Sequence, residues 1–243
     1  MSRPLLEVCI GSFADALIAD SCGVDRVELN SALQLGGLTP SPATLQRTLR
    51  ECSVQVIAMA RPRAGGFCYD DDHWETLLSD SRWMIEQGVH GIAFGCLTAE
   101  RTIDIARVKQ MRELVGDCQL VFHRAFDLIE DWQTALEQLI DAGVDRVMTS
   151  GGAESVPSGL QQIRQVVALS ADRIEVIPAG GITPDNLAEV LTATNCFQIH
   201  GSFSSPVDDP GYDEGPFRFS SVDKIQATNR LKLEEAIVLL KKS

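Results

Sequence analysis

The chain has little positive charge. Lys and Arg together number 21 against 34 Asp and Glu, a formal net charge of -13. Nucleic acid and anionic membranes reward basic patches, so neither is expected as a main partner. A local anion site stays open. Long apolar runs are missing too; none approaches the roughly 18 residues of a membrane span. The start, MSRPLLEVCIG, has a short apolar run and no small-residue cleavage pattern, so no secretion signal is expected. Seven cysteines, an odd number, occur without a CxxC pair. That spacing speaks against a disulfide framework and a zinc finger, and for a reducing cytoplasm. No GxGxxG follows the first strand-like run, which weakens a dinucleotide fold. GxSxG and HExxH are absent as well.

What remains is a regular alternation. Of the 243 residues, 44% are hydrophobic, which suits one globular unit with a sizeable core. The strand-like runs are LLEVCI, DRVELN, VQVIAMARPR, HGIAFG, QLVFHRAF, DRVMTSGG, IEVIPAGGI and FQIHGS. A helix-like stretch follows each, the last being IQATNRLKLEEAIVLLKK. Eight such units predict an α/β fold, a (β/α)8 TIM barrel, as a single domain over residues 1–243. CGVDRVEL, QGVHGIAF and AGVDRVMT share a helix end, a glycine in the C-cap region and a strand. One long loop is expected, from Ser202 to Ser221 after strand eight.

Side chains alternate along a strand, so parity sorts them. With Leu6, Val8, Ile10, Val27, Leu29, Phe122, Phe197 and Ile199 toward the helices, Glu7, Cys9, Glu28, Asn30, His123, Gln198 and His200 point inward. Buried ionisable groups must pair with one another, with water or with a ligand. Either they form a satisfied polar plug or they mark a site at the C-terminal mouth of the barrel.

Around that mouth, Glu7, Glu28 and His123 are the acid–base candidates. Arg61 and Arg63 of RPR, with Arg124, offer forks for phosphate or carboxylate, or else neutralise Glu7 and Glu28. Asp127 lies past the strand, placed to orient a partner. The turns TSGG, PAGGI and HGS bring Ser150, Gly151, Gly180, Gly181, His200 and Ser202 to the same end. Backbone amides at such turns favour an anion, and glycine also serves tight turns. Cys22, Cys52, Cys118 and Cys196 fall at the opposite end, and Cys9, Cys68 and Cys96 at the mouth. A soft ion such as Cu(I) wants two or three thiolates or thioethers close together.

LLEVCIGS, GVDRVELN, GGLTPS, RPRAGGFCY, FHRAFD, VMTSGG and PAGGIT…NL occur in that order, and over about residues 4–200 the chain resembles the CutC family of copper homeostasis proteins. The resemblance implies a TIM barrel, a cytoplasmic protein, copper tolerance, and Cu(I) held by two cysteines near the ends of strands one and two. Cys9 matches the first metal ligand; Asn30 stands at the second, and Ala64, Gly66 and Leu35 are further departures. The expectations are therefore a CutC-like copper homeostasis protein with copper at Cys9, or an enzyme acting on a small anionic or phosphorylated metabolite. A non-catalytic scaffold is the third reading. The partner is a copper ion or a small anion, and a homo-oligomer is expected.

Overall fold

The computed structural model describes residues 3–208 and 224–242. The chain runs β1 (Leu5–Ile10), α1 (Phe13–Cys22), β2 (Arg26–Leu29), α2 (Pro42–Glu51), β3 (Gln55–Met59), α3 (Asp71–Glu86), β4 (Gly91–Phe94) and α4 (Ile105–Val115). It continues β5 (Gln119–Phe122), α5 (Trp132–Asp141), β6 (Arg146–Thr149), α6 (Val156–Ser170), β7 (Glu175–Pro178), α7 (Pro184–Thr194) and β8 (Gln198–Gly201). β9 (Ser204–Val207), β10 (Ile225–Thr228) and α8 (Arg230–Leu240) complete it. β1 to β8 form one parallel sheet, in the order β7-β6-β5-β4-β3-β2-β1-β8. A parallel bridge between Ala179 and His200 brings its two edges together. The result is the expected (β/α)8 barrel.

The GVDRV repeat explains how strands are started. Gly23 and Gly143 sit at φ +76 and +73, the left-handed helix ending that glycine adopts without strain. The aspartate that follows staples the new strand to the old one. Asp25 accepts from the Leu6 amide at 2.8 Å and donates its own amide to Leu6 O at 3.1 Å. Asp145 does the same to Leu120, at 2.7 and 3.0 Å. The arginine of each copy, Arg26 or Arg146, then enters the barrel.

Two apolar layers result from the alternation. Leu6, Val8, Ile10, Val27, Leu29, Phe122 and Ile199 join the large core under the helices. Ile57, Met59, Ala93, Val121, Met148, Ile177 and Ala179 form a second cluster inside the barrel. The interior is therefore apolar over most of β3 to β7, and polar along β1, β2 and β8 and at the first residues of β5 and β6, Gln119 and Arg146.

Three expectations change. Phe197 is exposed rather than packed against helices, because β8 begins one residue later. The last helix starts at Arg230, not at Ile225. Asn229 caps it, accepting from the Lys232 amide at 3.2 Å, and Ile225–Thr228 pairs antiparallel with Ser204–Val207. The long loop thus begins with strand β9; of the rest, residues 209–223 lie outside the described residues.

Candidate functional site

The floor of the barrel is built around Glu7, which is fully buried. Its Oε2 accepts from Arg26 Nε at 2.9 Å and Arg146 Nη1 at 3.1 Å, and its Oε1 from His200 Nδ1 at 2.8 Å. Arg26 continues to Gln198 Oε1 and Arg146 to Gln119 Oε1, each at 2.5 Å, and Gln198 reaches Glu175 at 2.9 Å. Burial alone would raise the Glu7 pKa. The His200 hydrogen bond and the charges of His200, Arg146 and Arg26 outweigh it and bring the pKa to about 2. Glu7 is placed as a charged strut with both oxygens occupied, not as a proton carrier. Sequence reasoning missed Arg26 and Arg146. The signal was present: both are the fourth residue of GVDRV, and Arg26 has the parity of Glu28.

Above this floor lie Cys9, Glu28, Asn30 and His200. His200 Nε2 stands 3.8 Å from Glu28 Oε2. Burial disfavours charge on His200, but the carboxylates of Glu28 and Glu7 outweigh it and raise its pKa. Asn30 Nδ2 donates to Glu28 Oε2 at 2.9 Å and faces Cys9 Sγ at 3.5 Å. Gly37 lets Asn30 sit there; a Cβ at Gly37 would overlap Asn30 Oδ1. Glu28 Oε1 is buried with no partner among the described residues. Burial first, then the charge and hydrogen bond of Glu28, push the Cys9 thiol well above its ordinary pKa.

Cys9 Sγ, a Glu28 oxygen and a His200 nitrogen lie within 4.8 Å of one another, a set with the reach to hold a cation. Of this set only Cys9 is a soft ligand, and the group beside it is the amide donor of Asn30. Mixed sulfur, nitrogen and oxygen donors suit a borderline divalent ion better than Cu(I). Cys68 and Cys96 do not join Cys9: neither lines the cavity described below, and Cys96 points its thiol to Asp104 O.

His123 follows β5 directly, at the N-cap of the next 3-10 turn, and forms another wall. Its Nδ1 accepts from the Ala125 amide at 3.1 Å. A neutral ring must then carry its proton on Nε2, and Nε2 has no partner among the described residues. Burial, helped by the Arg61 charge, lowers the pKa to about 3, so the ring stays neutral. His123 is therefore a hydrogen-bond donor here rather than a base. Phe67 lies over it at 4.7 Å between ring centroids, and Gly95 leaves the room the ring occupies.

Arg61 and Arg63 do not reach the cavity, contrary to the sequence expectation. Arg61 donates to Leu35 O, Gly37 O and Gly65 O at 3.0, 2.9 and 2.7 Å. Arg63 donates to Ala64 O, Gly66 O and Cys68 O at 3.2, 3.0 and 2.7 Å. Both guanidinium groups shape loops, and neither pairs with Glu7 or Glu28.

Arg124 does reach it. β5 stops at Phe122, and a short 3-10 helix, Arg124–Leu128, turns the side chain across the mouth. Nε donates to Asp127 Oδ2 at 2.9 Å and Nη2 to Ser150 Oγ at 2.7 Å. Nη1 has no acceptor among the described residues, and lies so near Gly180 that a Cβ there would sit 2.9 Å from it. Asp127 also accepts from Thr149 Oγ1 at 2.6 Å and from the Ser150 amide at 3.0 Å. Asp127 and Ser150 therefore aim Arg124. Gly151 packs on Gly159 of α6 and does not line the cavity.

The cavity at the mouth has a volume of about 350 Å³. Glu28, His200 and Cys9 line it on one side, His123, Phe67, Met59 and Met148 on another, and Arg124, Gly180, Gly181, Ile182 and Ser202 at the rim. The amides of Gly181 and Ile182 have no acceptor among the described residues. The Thr183 amide is taken by Asn186 Oδ1 at 2.9 Å as α7 begins. No helix among the described residues is long and apolar enough to cross a membrane.

Several known proteins share this architecture. Phosphoribosylanthranilate isomerase of Thermotoga maritima superposes with TM-score 0.58 at 14% identity over 99% of this chain and all of its own, a likeness of fold alone. The crystal structure of the putative copper homeostasis protein CutC from Streptococcus agalactiae gives TM-score 0.78 at 30% identity, covering 82% of this chain and 98% of that one. A CutC family protein of Treponema denticola is 39% identical over 216 residues, 89% of this chain and 88% of the relative. The human copper homeostasis protein cutC homolog is 38% identical over 204 residues, 84% of this chain and 75% of the relative. The CutC family model matches residues 4–205. With its barrel, its FHRAFD turn and these relatives, the chain belongs to the CutC family of copper homeostasis proteins.

Proposed function

We propose that this CutC family protein is an enzyme that acts on a small anionic metabolite at the mouth of its barrel. The observation that carries the reading is the polarity of one cavity: cationic and amide donors at the rim, acid–base groups at the base. Arg124 Nη1 and the amides of Gly181 and Ile182, without acceptors among the described residues, suit a phosphate or carboxylate. Glu28 and His200 sit at the other end, where the rest of the molecule would lie. The volume suits a small metabolite. Seven free cysteines fit a reducing cytoplasm.

Thermal unfolding in the presence of inorganic phosphate and phosphorylated sugars tests the anion site. At ligand near 100 times its Kd, linkage adds about 2.7 kcal/mol to stability, a rise of several degrees. Arg124→Gln is expected to remove most of that rise while unfolding near the wild-type temperature without ligand. An unchanged rise in the variant counts against the rim as the anion site.

Copper handling, which the human relative's name implies, is the alternative. Against it stands the presence of one cysteine, Cys9, among the described residues of the cavity wall, with the amide donor of Asn30 beside it. Titration of Cu(I) against bicinchoninate is expected to leave the metal with the competitor, for wild type and Cys9→Ser alike. One equivalent retained by wild type and lost in the variant would restore copper as the cargo.

A further inference from the structure

Two buried polar atoms in the cavity walls have no partner among the described residues, Glu28 Oε1 and His123 Nε2. One can only accept as a carboxylate; the other, because Nδ1 is committed to the Ala125 amide, can only donate. Leaving either unmade costs free energy, so a complementary ligand is favoured by both at once. That ligand offers an oxygen acceptor to His123 and a proton to Glu28.

The other side chains narrow the chemistry. Among the described residues no lysine lines the cavity, so an imine has no amine there to form on. Glu28, with an unpartnered oxygen in the cavity wall, is placed for proton transfer.

We infer that the protein deprotonates the carbon beside a carbonyl in a hydroxy-ketone or hydroxy-aldehyde that carries a phosphate at its far end. This rests on the proposed anion site. Glu28 takes the proton of that C–H bond. The bond's electron pair becomes the new C=C bond, and the carbonyl π pair moves onto oxygen. His123 Nε2–H faces that oxygen, and a neutral imidazole donor suits a developing oxyanion better than water does. Met59, Met148 and Phe67 keep the reacting carbons in an apolar wall. If the proton on Glu28 has exchanged with solvent, its return to the same carbon gives labelled substrate. Return to the former carbonyl carbon, with the hydroxyl proton passed to the first oxyanion, gives the isomer. No other reactant is needed.

The experiment is solvent exchange in D₂O followed by ¹H NMR. The probes are dihydroxyacetone phosphate, ribulose 5-phosphate and fructose 6-phosphate, with protection by inorganic phosphate measured in parallel by thermal unfolding. Expected is loss of the α-proton signal from at least one probe with wild-type protein. Glu28→Gln is expected to slow this by about 10²–10⁴-fold, the usual worth of a general base, while keeping phosphate protection. His123→Phe is expected to slow it by about 10²–10³-fold with little change in KM. Because that variant changes a buried ring, ¹⁵N NMR of wild-type histidines gives a second test: His123 should stay neutral with its proton on Nε2 at pH 5–8. A protonated ring, or an Nδ1–H tautomer, overturns the assignment. Phosphate protection without exchange in any probe overturns the reaction and leaves the anion site standing. Absence of phosphate protection removes both.

Discussion

Glu7→Ala is expected to leave the chain unable to fold at neutral pH. The substitution strands two arginines and a histidine inside the barrel, since Arg26, Arg146 and His200 all make charged contacts to this one carboxylate. Breaking a single buried ion pair by removing one partner costs about 3–5 kcal/mol. Here two arginines lose their counter-charge and His200 loses its acceptor, and Arg146 is almost wholly buried. A domain's whole stability is about 5–15 kcal/mol, so the loss takes most of it. Glu7→Gln keeps the volume and the acceptor at one atom, and is expected to fold with a large drop in its urea midpoint. Circular dichroism of Glu7→Ala showing a cooperative, near-wild-type urea transition would mean that the floor relaxes or admits water.

The same strut sets the pH range. A carboxyl whose folded pKa is depressed contributes stability that is present above its unfolded pKa and lost as pH falls through the folded value. For Glu7 that window runs from 4.5 down to about 2. The difference corresponds to about 3 kcal/mol. His200 works in the opposite sense. Its folded pKa is raised above 6.5, so its share is fully present below that value and lost as pH rises through the folded pKa. His123, with its folded pKa lowered to about 3, loses stability as pH falls below 6.5, so urea midpoints across pH should be highest near pH 6.5, and the part of the acid limb below 4.5 should flatten in Glu7→Gln.

The direction of the polar groups was legible from alternation alone. Glu7, Cys9, Glu28, Asn30, His123 and His200 all lie on the inner parity that Val8, Val27 and Ile199 define by facing out. What they pair with was not legible. Arg61 shares the inner parity, yet its long side chain folds back onto the carbonyls of Leu35, Gly37 and Gly65. Loop conformation decides that, and no periodicity encodes it. The true counter-ions, Arg26 and Arg146, sit at the first residue of their strands, where GVDRV reads as a helix ending. Arg124 has the wrong parity for the mouth and arrives because the strand gives way to a 3-10 turn at that residue. The β10 strand was hidden in an apolar run continuous with α8, although Asn229 marks the boundary with a cap.

Gly159→Ala is expected to damage the anion site from outside it. Gly159 lies buried in α6, and a Cβ there would overlap Ser150 O and stand 3.0 Å from Gly151 Cα. The helix can approach the end of β6 so closely because neither Gly151 nor Gly159 carries a side chain. Overpacking of this kind costs about 1–3 kcal/mol, and here backbone must move, since no flexible side chain is in the way. The backbone that moves is that of Ser150, whose hydroxyl meets Arg124 Nη2 and whose amide is held by Asp127. Arg124 would lose the two groups that aim it, so the thermal rise given by phosphate should shrink together with stability. Gly66→Ala is the control: a Cβ there meets open space, and the change should stay within about ±0.5 kcal/mol. A Gly159→Ala protein that loses stability but keeps the full phosphate response would show that Arg124 is placed by Asp127 alone. A lost response at wild-type stability would mean that helix α6 yields without strain and that the contact positions rather than supports the rim.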